Sequence, residues 1–327
     1  MAPNRLRRIA VLASGGDASG MNACLRAVVR AGCDAGMEIL GVRRGFSGLI
    51  AGDIAPLGRR DVGNIIQRGG IVLGTSRCEE FRTVEGRSKA VRFLREAEVD
   101  ALVVMGGDGS FEGAWALAQE TGTCCLGIPA TIDNDVYGTD FSLGFDTAVN
   151  IALESIDRIR DTAESLERPF FVEVMGRASG AIALEVGLAG GADDVVVPET
   201  PTDVEEVCAG LQEGFHRGRR SSIIVVAEGD EAGGAFVLAR EVGQRINAEY
   251  RVVVLGHVQR GGAPTARDRV LGAKLGAAAV DAFLASEENV MVGEVAGRIA
   301  LTPLREVSER VKQTDEALLH LVHRLTR

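Results

Sequence analysis

The sequence predicts an α/β fold with mainly parallel sheets flanked by helices. Three observations point there. Short apolar runs alternate along the chain with longer segments whose apolar residues recur at helical spacing. That alternation implies strand–helix–strand units and parallel sheets. The chain carries 42 glycines in 327 residues. Many of them directly follow apolar runs, as in loops that bind ligands at the carboxyl ends of parallel strands. A chain of 327 residues is also long enough for a large core and two lobes.

Taken in order, the apolar run Ile9–Ala13 predicts the first strand, and Gly20–Ala35 a helix after it. Glu38–Val42 is the next strand, and Ser88–Glu96 the next helical pattern. Ala101-Leu102-Val103-Val104-Met105 is an apolar strand that feeds a glycine turn and a helix. Cys124–Ile128 is a further strand, and Ala148–Ile159 has helical spacing. Strands at Phe170–Met175 and Asp194–Val197 follow, then a helix at Val204–Phe215. Strand Ile223–Ala227, helix Ala235–Ile246 and strand Val252–Leu255 complete the series. No low-complexity linker or short repeat interrupts it, and a second αβ series starts near Gly144.

The chain is 46% hydrophobic and 25% charged, with a net charge of −10. That acidity argues against general nucleic-acid binding. Arginines gathered in particular loops suit a small anionic ligand in a pocket. No apolar run approaches membrane-spanning length. The basic stretch Met1–Arg8 leads into a strand without a signal-peptide pattern, so a cytoplasmic protein without membrane partners is expected. The six cysteines lack Cys-x-x-Cys spacing, and the four histidines do not cluster with them. A disulfide framework or zinc site is not expected; most of the cysteines read as small buried hydrophobes, with Cys78, beside Arg77 in a Gly-rich segment, the candidate for exposure.

Five segments could carry chemistry. Gly106-Gly107-Asp108-Gly109-Ser110 joins a strand to a helix start. Its glycines let backbone N–H groups approach phosphate oxygens, and the helix dipole favours negative charge there. Asp108 offers a carboxylate to a hard cation such as Mg²⁺. Ser14-Gly15-Gly16-Asp17-Ala18-Ser19-Gly20 is a second glycine turn; the plain alternative is a turn in which Ser19 or Asp17 caps the helix. Pro129-Ala130-Thr131-Ile132-Asp133-Asn134-Asp135 places two carboxylates in one loop, one available as a base. The plain alternative there is a self-bonded Asx turn. Glu173-Val174-Met175-Gly176-Arg177 ends a strand with an arginine able to grip phosphate in bidentate fashion. Gly256-His257-Val258-Gln259-Arg260-Gly261-Gly262 suits a phosphate monoester, and Glu228 and Arg251 lie beside other strands.

Together with Val195-Val196-Val197-Pro198-Glu199, these segments give the chain a clear resemblance to the bacterial ATP-dependent 6-phosphofructokinases. The resemblance covers nearly the whole chain, in family order. It implies two Rossmann-like lobes: 1–143 plus 259–305 as the larger, ATP-binding lobe, and 144–258 plus 306–327 as the smaller, sugar-phosphate lobe. It implies ATP at Gly16, Arg77, Cys78, Gly107, Asp108, Gly109 and Ser110, with Mg²⁺ at Asp108. Fructose 6-phosphate would engage Thr131, Asp133, Arg168, Met175, Gly176, Arg177, Glu228, Arg251, His257 and Arg260. Arg168 and Arg251 match arginines supplied by a neighbouring subunit, which implies a homo-oligomer, typically a tetramer. Asp133 would be the base, with Thr131, Arg77 and Arg177 completing the catalytic set.

Pyrophosphate-dependent relatives typically carry Asp at the position of Gly109 and Lys at that of Ala130, so the resemblance favours ATP as donor. It also implies an effector site at Arg26, Arg30, Arg59, Arg160, Asp193, Arg217 and Arg219 for an anion such as ADP or phosphoenolpyruvate; the alternative is ordinary interface ion pairing. Rival readings are another GGDG kinase acting on NAD or lipid, and a non-catalytic sugar-phosphate or nucleotide-binding regulator. A dinucleotide-dependent oxidoreductase fits poorly, because Gly15-Gly16-Asp17-Ala18-Ser19-Gly20 does not match Gly-x-Gly-x-x-Gly.

Overall fold

The computed structural model describes residues 7–326; residues 1–6 of the basic opening stretch lie outside the described residues. The chain forms two units. The first holds the chain up to Asp146 together with Arg260–Lys312, and the second holds Thr147–Gln259 and the chain from Gln313 onward.

The chain opens with β1 (Arg8–Ala13), α1 (Met21–Asp34), β2 (Glu38–Val42), α2 (Gly45–Ala51), β3 (Ile54–Leu57), α3 (Val84–Glu96), β4 (Ala101–Gly106), α4 (Asp108–Thr121) and β5 (Cys124–Pro129). Helix α5 (Phe145–Leu166) leads into β6 (Pro169–Val174), α6 (Ala181–Ala189), β7 (Asp194–Val196), α7 (Val204–His216), β8 (Ser222–Ala227), α8 (Gly234–Ile246) and β9 (Arg251–Val254). Then come α9 (Ala266–Leu284), β10 (Val290–Val295), β11 (Arg298–Pro303), α10 (Leu304–Glu309) and α11 (Glu316–Thr326).

The first unit holds a seven-stranded sheet in the order β11-β10-β5-β4-β1-β2-β3. Its middle five strands are parallel, with Ile9 opposite Ala101 and Ala101 opposite Cys124. β4 and β5 are buried along their whole length. This is why they read as continuous apolar runs and not as alternating ones. The second unit holds a four-stranded parallel sheet in the order β7-β8-β6-β9. Phe171, Ile224 and Val226 pack there against Leu211, Leu238 and Val242 from α7 and α8.

The structure adds edge strands that the sequence reading passed over, and it disfavours the plain alternative at the first glycine turn. Both edges of the larger sheet are antiparallel, β3 against β2 and β11 against β10. β3 escaped notice because it is four residues long and contains Pro56. The β10–β11 hairpin turns on Ala296 and Gly297, both at positive φ, without a familiar Asn-Gly signal. Finally, neither Ser19 nor Asp17 caps α1. Its N-cap is Gly20 at φ 109°, with no side-chain cap. The Ser19 hydroxyl instead donates to the carbonyl of Gly262 at 3.0 Å.

Helix α9 packs on α1 at close range. A Cβ on Gly276 would lie 2.5 Å from the Cys24 carbonyl oxygen, and one on Gly272 would lie 3.0 Å from the Cys24 nitrogen. These glycines weaken helix propensity, and the helical pattern of this segment is correspondingly faint. They also let two backbones meet. All six cysteines are free. Burial pushes the thiols of Cys24 and Cys125 well up, and that of Cys124 to about 11. These groups are therefore poor nucleophiles.

A buried arginine organises the outer wall of the first unit. Arg87, 8% exposed, donates Nε to Glu120 Oε2 at 2.7 Å and Nη2 to Oε1 at 2.5 Å. Its Nη1 also reaches the carbonyls of Phe81 and Arg82 at 3.0 and 2.8 Å. The hydrogen bonds from Arg87 hold the Glu120 carboxyl below its usual range. Glu120→Gln should cost roughly 1.5–3 kcal/mol at neutral pH, the value of hydrogen bonds to a charged group. In the parent protein the contribution is present above the ordinary carboxylate pKa. It is lost as pH falls through the depressed folded value, because the unfolded chain binds the proton first. Urea unfolding at several pH values checks this; equal stability of the two proteins at pH 7 would show that the pair adds nothing.

Candidate active site

In the first unit the carboxyl ends of β1, β4 and β5 lie side by side. The Ser14 N–H donates to the Met105 carbonyl at 2.9 Å, and the Ala130 N–H to the Gly106 carbonyl at 2.8 Å. Strand order reverses direction between β1 and β4, since β2 lies to one side and β5 to the other. Such a switch point opens a crevice for ligands. The Gly106–Ser110 turn projects from it.

Gly107 caps α4 with its backbone alone. The amides of Ser110 and Phe111 return to the Gly107 carbonyl at 2.9 and 3.2 Å. Asp108 and Gly109 are exposed at the helix start. A Cβ on Gly109 would meet nothing within 4 Å. The Ser110 hydroxyl faces inward and donates to the Ser14 carbonyl at 3.2 Å. It thereby ties the two glycine turns together.

The segment before Arg77 is fastened to the same place. Thr75 Oγ1 donates to the Gly15 carbonyl at 3.0 Å, and the Gly15 N–H to the Ser76 carbonyl at 3.3 Å. Arg77 follows, exposed, while Cys78 packs against the core. Behind it Phe81 stacks on Phe46, with ring centroids 3.8 Å apart.

The Thr131–Asp135 loop lies one strand over. A Cβ on Gly107 would contact the Thr131 side chain at 3.6 Å. The Asp133 N–H donates to Thr131 Oγ1 at 3.2 Å, and Asp133 is 2% exposed. Asn134 does not bond within its own loop. It accepts from the Ser142 N–H at 3.0 Å and donates to the Asp140 carbonyl at 3.2 Å. Thr131 and the buried Asp133 are thus held next to the helix start that carries Asp108.

Among the described residues, no group of three or more His, Cys, Asp or Glu side chains could cage a metal. The exposed Asp108 carboxylate suits Mg²⁺, which keeps waters and phosphates as ligands and needs one or two carboxylates.

In the second unit, the carboxyl ends of β6 and β8 and the turn after β9 converge. Glu228 Oε1 accepts the N–H groups of Gly176 at 3.3 Å and Arg177 at 2.9 Å. Gly176, at φ 149°, makes a turn that a side chain would oppose; its Cβ would lie 2.3 Å from the Ser179 carbonyl oxygen. Gln259 is a residue that sequence reasoning passed over. It is 1% exposed, and its Oε1 accepts the Met175 N–H at 2.9 Å. The signal lay in the 3₁₀ turn Gly256–Arg260. Three residues per turn align His257 with Arg260 and send Gln259 elsewhere.

Arg168 and Arg251 are not with this group. Arg168 precedes β6 and Arg251 opens β9, where it lies opposite Phe170. A six-residue strand therefore separates them from Met175–Arg177, a distance of roughly 20 Å. Arg168 pairs with Glu249 at 2.8 Å.

The expected effector residues divide. In the second unit Asp193, Arg217 and Arg219 line one cavity of about 250 Å³. Arg219 pairs there with Asp193. Arg160 donates to the carbonyls of Gly190 and, at 2.9 Å, Gly191. In the first unit Arg26 and Arg30 lie on α1, and Arg59 pairs with Asp34 of that helix at 3.0 Å.

Residues 8–283 match the family model described as Phosphofructokinase. The ATP-dependent 6-phosphofructokinase 1 of Thermus thermophilus is 56% identical over 316 residues, which are 97% of this chain and 98% of that protein. The ATP-dependent 6-phosphofructokinase of Halothermothrix orenii is 46% identical over 98% of this chain and 100% of its own. Among solved structures, Pichia pastoris phosphofructokinase in the T-state superposes with a TM-score of 0.89 at 35% identity over 94% of this chain. This chain spans 36% of that protein's length. A pyrophosphate-dependent phosphofructokinase from Marinobacter aquaeolei shares the fold at 24% identity, with a TM-score of 0.84 over 95% of this chain and 86% of its own.

Glu228→Ala should free the Gly176 and Arg177 amides, whereas Glu228→Gln keeps an oxygen acceptor. Hydrogen exchange should therefore lose protection at these two amides in the alanine variant only; equal protection in both variants would show that Glu228 does not pin the turn.

Proposed function

The chain belongs to the phosphofructokinase family, and on that premise we propose that it transfers the γ-phosphoryl group of ATP to the C1 hydroxyl of fructose 6-phosphate. The observation that carries the choice of donor is the open space over Gly109 at the start of α4. A nucleotide's phosphates can approach that backbone, and no carboxylate stands there to repel them. The 56% and 46% identical relatives named as ATP-dependent enzymes support the same choice.

In this reading Gly16, Arg77, Cys78, Gly107, Asp108, Gly109 and Ser110 take ATP. Ser110 contributes by holding the two glycine turns in register. Asp108 would hold Mg²⁺, which neutralises charge on the phosphates. Asp133 accepts the proton of the C1 hydroxyl as that oxygen bonds to the γ-phosphorus. The bond from that phosphorus to the bridging oxygen breaks, and ADP leaves. Thr131 steadies the Asp133 loop. Arg77 and Arg177 stabilise charge on the transferring group, and such electrostatic stabilisation carries most of the catalysis in phosphoryl transfer. Met175, Gly176, Glu228, His257 and Arg260 take the sugar phosphate, with Glu228 setting the turn that aims Arg177.

Arg168 and Arg251 serve the acceptor site of a neighbouring subunit. Their place at the far end of their own sheet supports this, since no arginine side chain spans a strand's length. Activity then requires an oligomer, which we propose is a tetramer. The cavity at Asp193, Arg217 and Arg219 would take an anionic effector such as ADP or phosphoenolpyruvate; Arg26, Arg30, Arg59 and Arg160 are the further cations that the resemblance assigns to such an effector.

A coupled assay crossing ATP and pyrophosphate with several sugar phosphates tests the reaction; turnover with pyrophosphate and not ATP would reverse the donor. Asp133→Asn should lower kcat by ~10²–10⁴-fold, the range for a positioned base, and near-normal turnover would remove Asp133 from that role. Gly109→Asp should fold normally, because the position is open and an acid suits a helix start. Like charges 4 Å apart repel by about 1–4 kcal/mol between bulk water and a protein surface. kcat/KM for ATP should therefore fall tenfold or more at unchanged Tm; an undiminished value would mean the phosphates do not approach Gly109.

A further inference from the structure

Gly16 carries a constraint that binding of a nucleotide does not explain. A Cβ on Gly16 would lie 1.9 Å from Arg260 Nη1, 3.0 Å from its Cζ and 3.4 Å from Nη2. The guanidinium rests directly on the glycine. Gly15 is different: its φ is +89°, so backbone conformation explains it. Gly16 is not among the residues at positive φ. Its backbone would accept a side chain, and the obstacle is Arg260.

Arg260 is delivered to this place by a built seat. Ser19 Oγ donates to the Gly262 carbonyl at 3.0 Å. A Cβ on Gly69 would lie 2.2 Å from that same carbonyl oxygen, so the returning chain lies flush against the segment before Arg77. Thr265 then caps α9 through the Asp268 N–H and bonds Asp146 at 2.5 Å. The Nε of Arg260 is buried and makes no hydrogen bond. A desolvated, unsatisfied donor on a cation is costly until an anion meets it.

We infer that Gly16 is a positioning residue for Arg260. The missing side chain seats the guanidinium where it takes the acceptor's phosphate, so the first glycine turn governs affinity for the sugar phosphate. The inference rests on the proposed function. Arg260 is the flexible far end of a long side chain, so Gly16→Ala displaces the guanidinium and leaves the backbone in place. To reach ordinary contact near 3.4 Å it must retreat by about 1.5 Å from 1.9 Å. A misplacement of ~1 Å can cost on the order of 10²-fold.

The test is steady-state kinetics on the full chain, with each substrate varied in turn, for the parent, Gly16→Ala, Arg260→Ala and the double variant. Gly16→Ala should raise KM for fructose 6-phosphate ~10–100-fold while Arg260 is present, whatever it does to KM for ATP. In the Arg260→Ala background, Gly16→Ala should add nothing, because the space is already vacant. A rise in KM for ATP alone, or penalties that multiply in the double variant, overturns the inference. If Gly16→Ala does not fold, the double variant decides: recovery of folding supports the inference, and continued failure overturns it. Parent turnover with ATP and fructose 6-phosphate tests the proposed function separately. Should the parent not turn over that pair, calorimetric binding of inorganic phosphate to the four proteins makes the same comparison.

Discussion

The close approach of α9 to α1 governs the first unit. The chain leaves that unit after Asp146 and returns at Arg260, so a segment distant in sequence must be locked back in place. Gly272 and Gly276 allow this, because the backbone at Cys24 occupies the space a side chain would need. With α9 set, Asp268 accepts the Gly144 N–H at 2.9 Å and Thr265 reaches Asp146. The outgoing and returning chain are thereby fixed to one helix start. The segment Arg260–Gly262 is then laid along the first glycine turn, and α9 is followed by the strands that complete the sheet beyond β5.

A net charge of −10 is an unpromising background for polyanionic ligands. The fold answers with local fields. Parallel strands end at one edge, and α4 begins there with its dipole favouring negative charge. Arginines are then brought in on loops: Arg77 tied to Gly15 through Thr75 and Ser76, and Arg177 on a turn pinned by Glu228. In each case a neutral or acidic group fixes the backbone and leaves the cation exposed. Asp133, by contrast, is buried beside this exposed helix start, 2% exposed.

The candidate site residues stood out in the sequence because local backbone rules made them visible. Glycine turns after β1 and β4 mark strand-to-helix junctions, and buried parallel strands announce themselves as unbroken apolar runs. β3 and β11 did not stand out. Each is an edge strand whose pairing comes from its neighbour, and β3 contains a proline tolerated only at an edge. The α9 pattern was weakened by the glycines that make its packing possible. Gln259 was invisible for a related reason: a polar residue in a loop signals solvent, and only the turn that buries it reveals its bond to Met175.

The α/β class and the order of most elements were legible without coordinates, because they follow from periodicity and local turn chemistry. Tertiary structure alone decided which ends meet. It put Arg168 and Arg251 a strand's length from Arg177, turned Ser19 away from capping toward Gly262, and laid Arg260 over Gly16. Those outcomes depend on contacts between segments up to 244 residues apart in number, from Gly16 to Arg260. Local propensity carries no information at that range; close packing of backbones and side chains does.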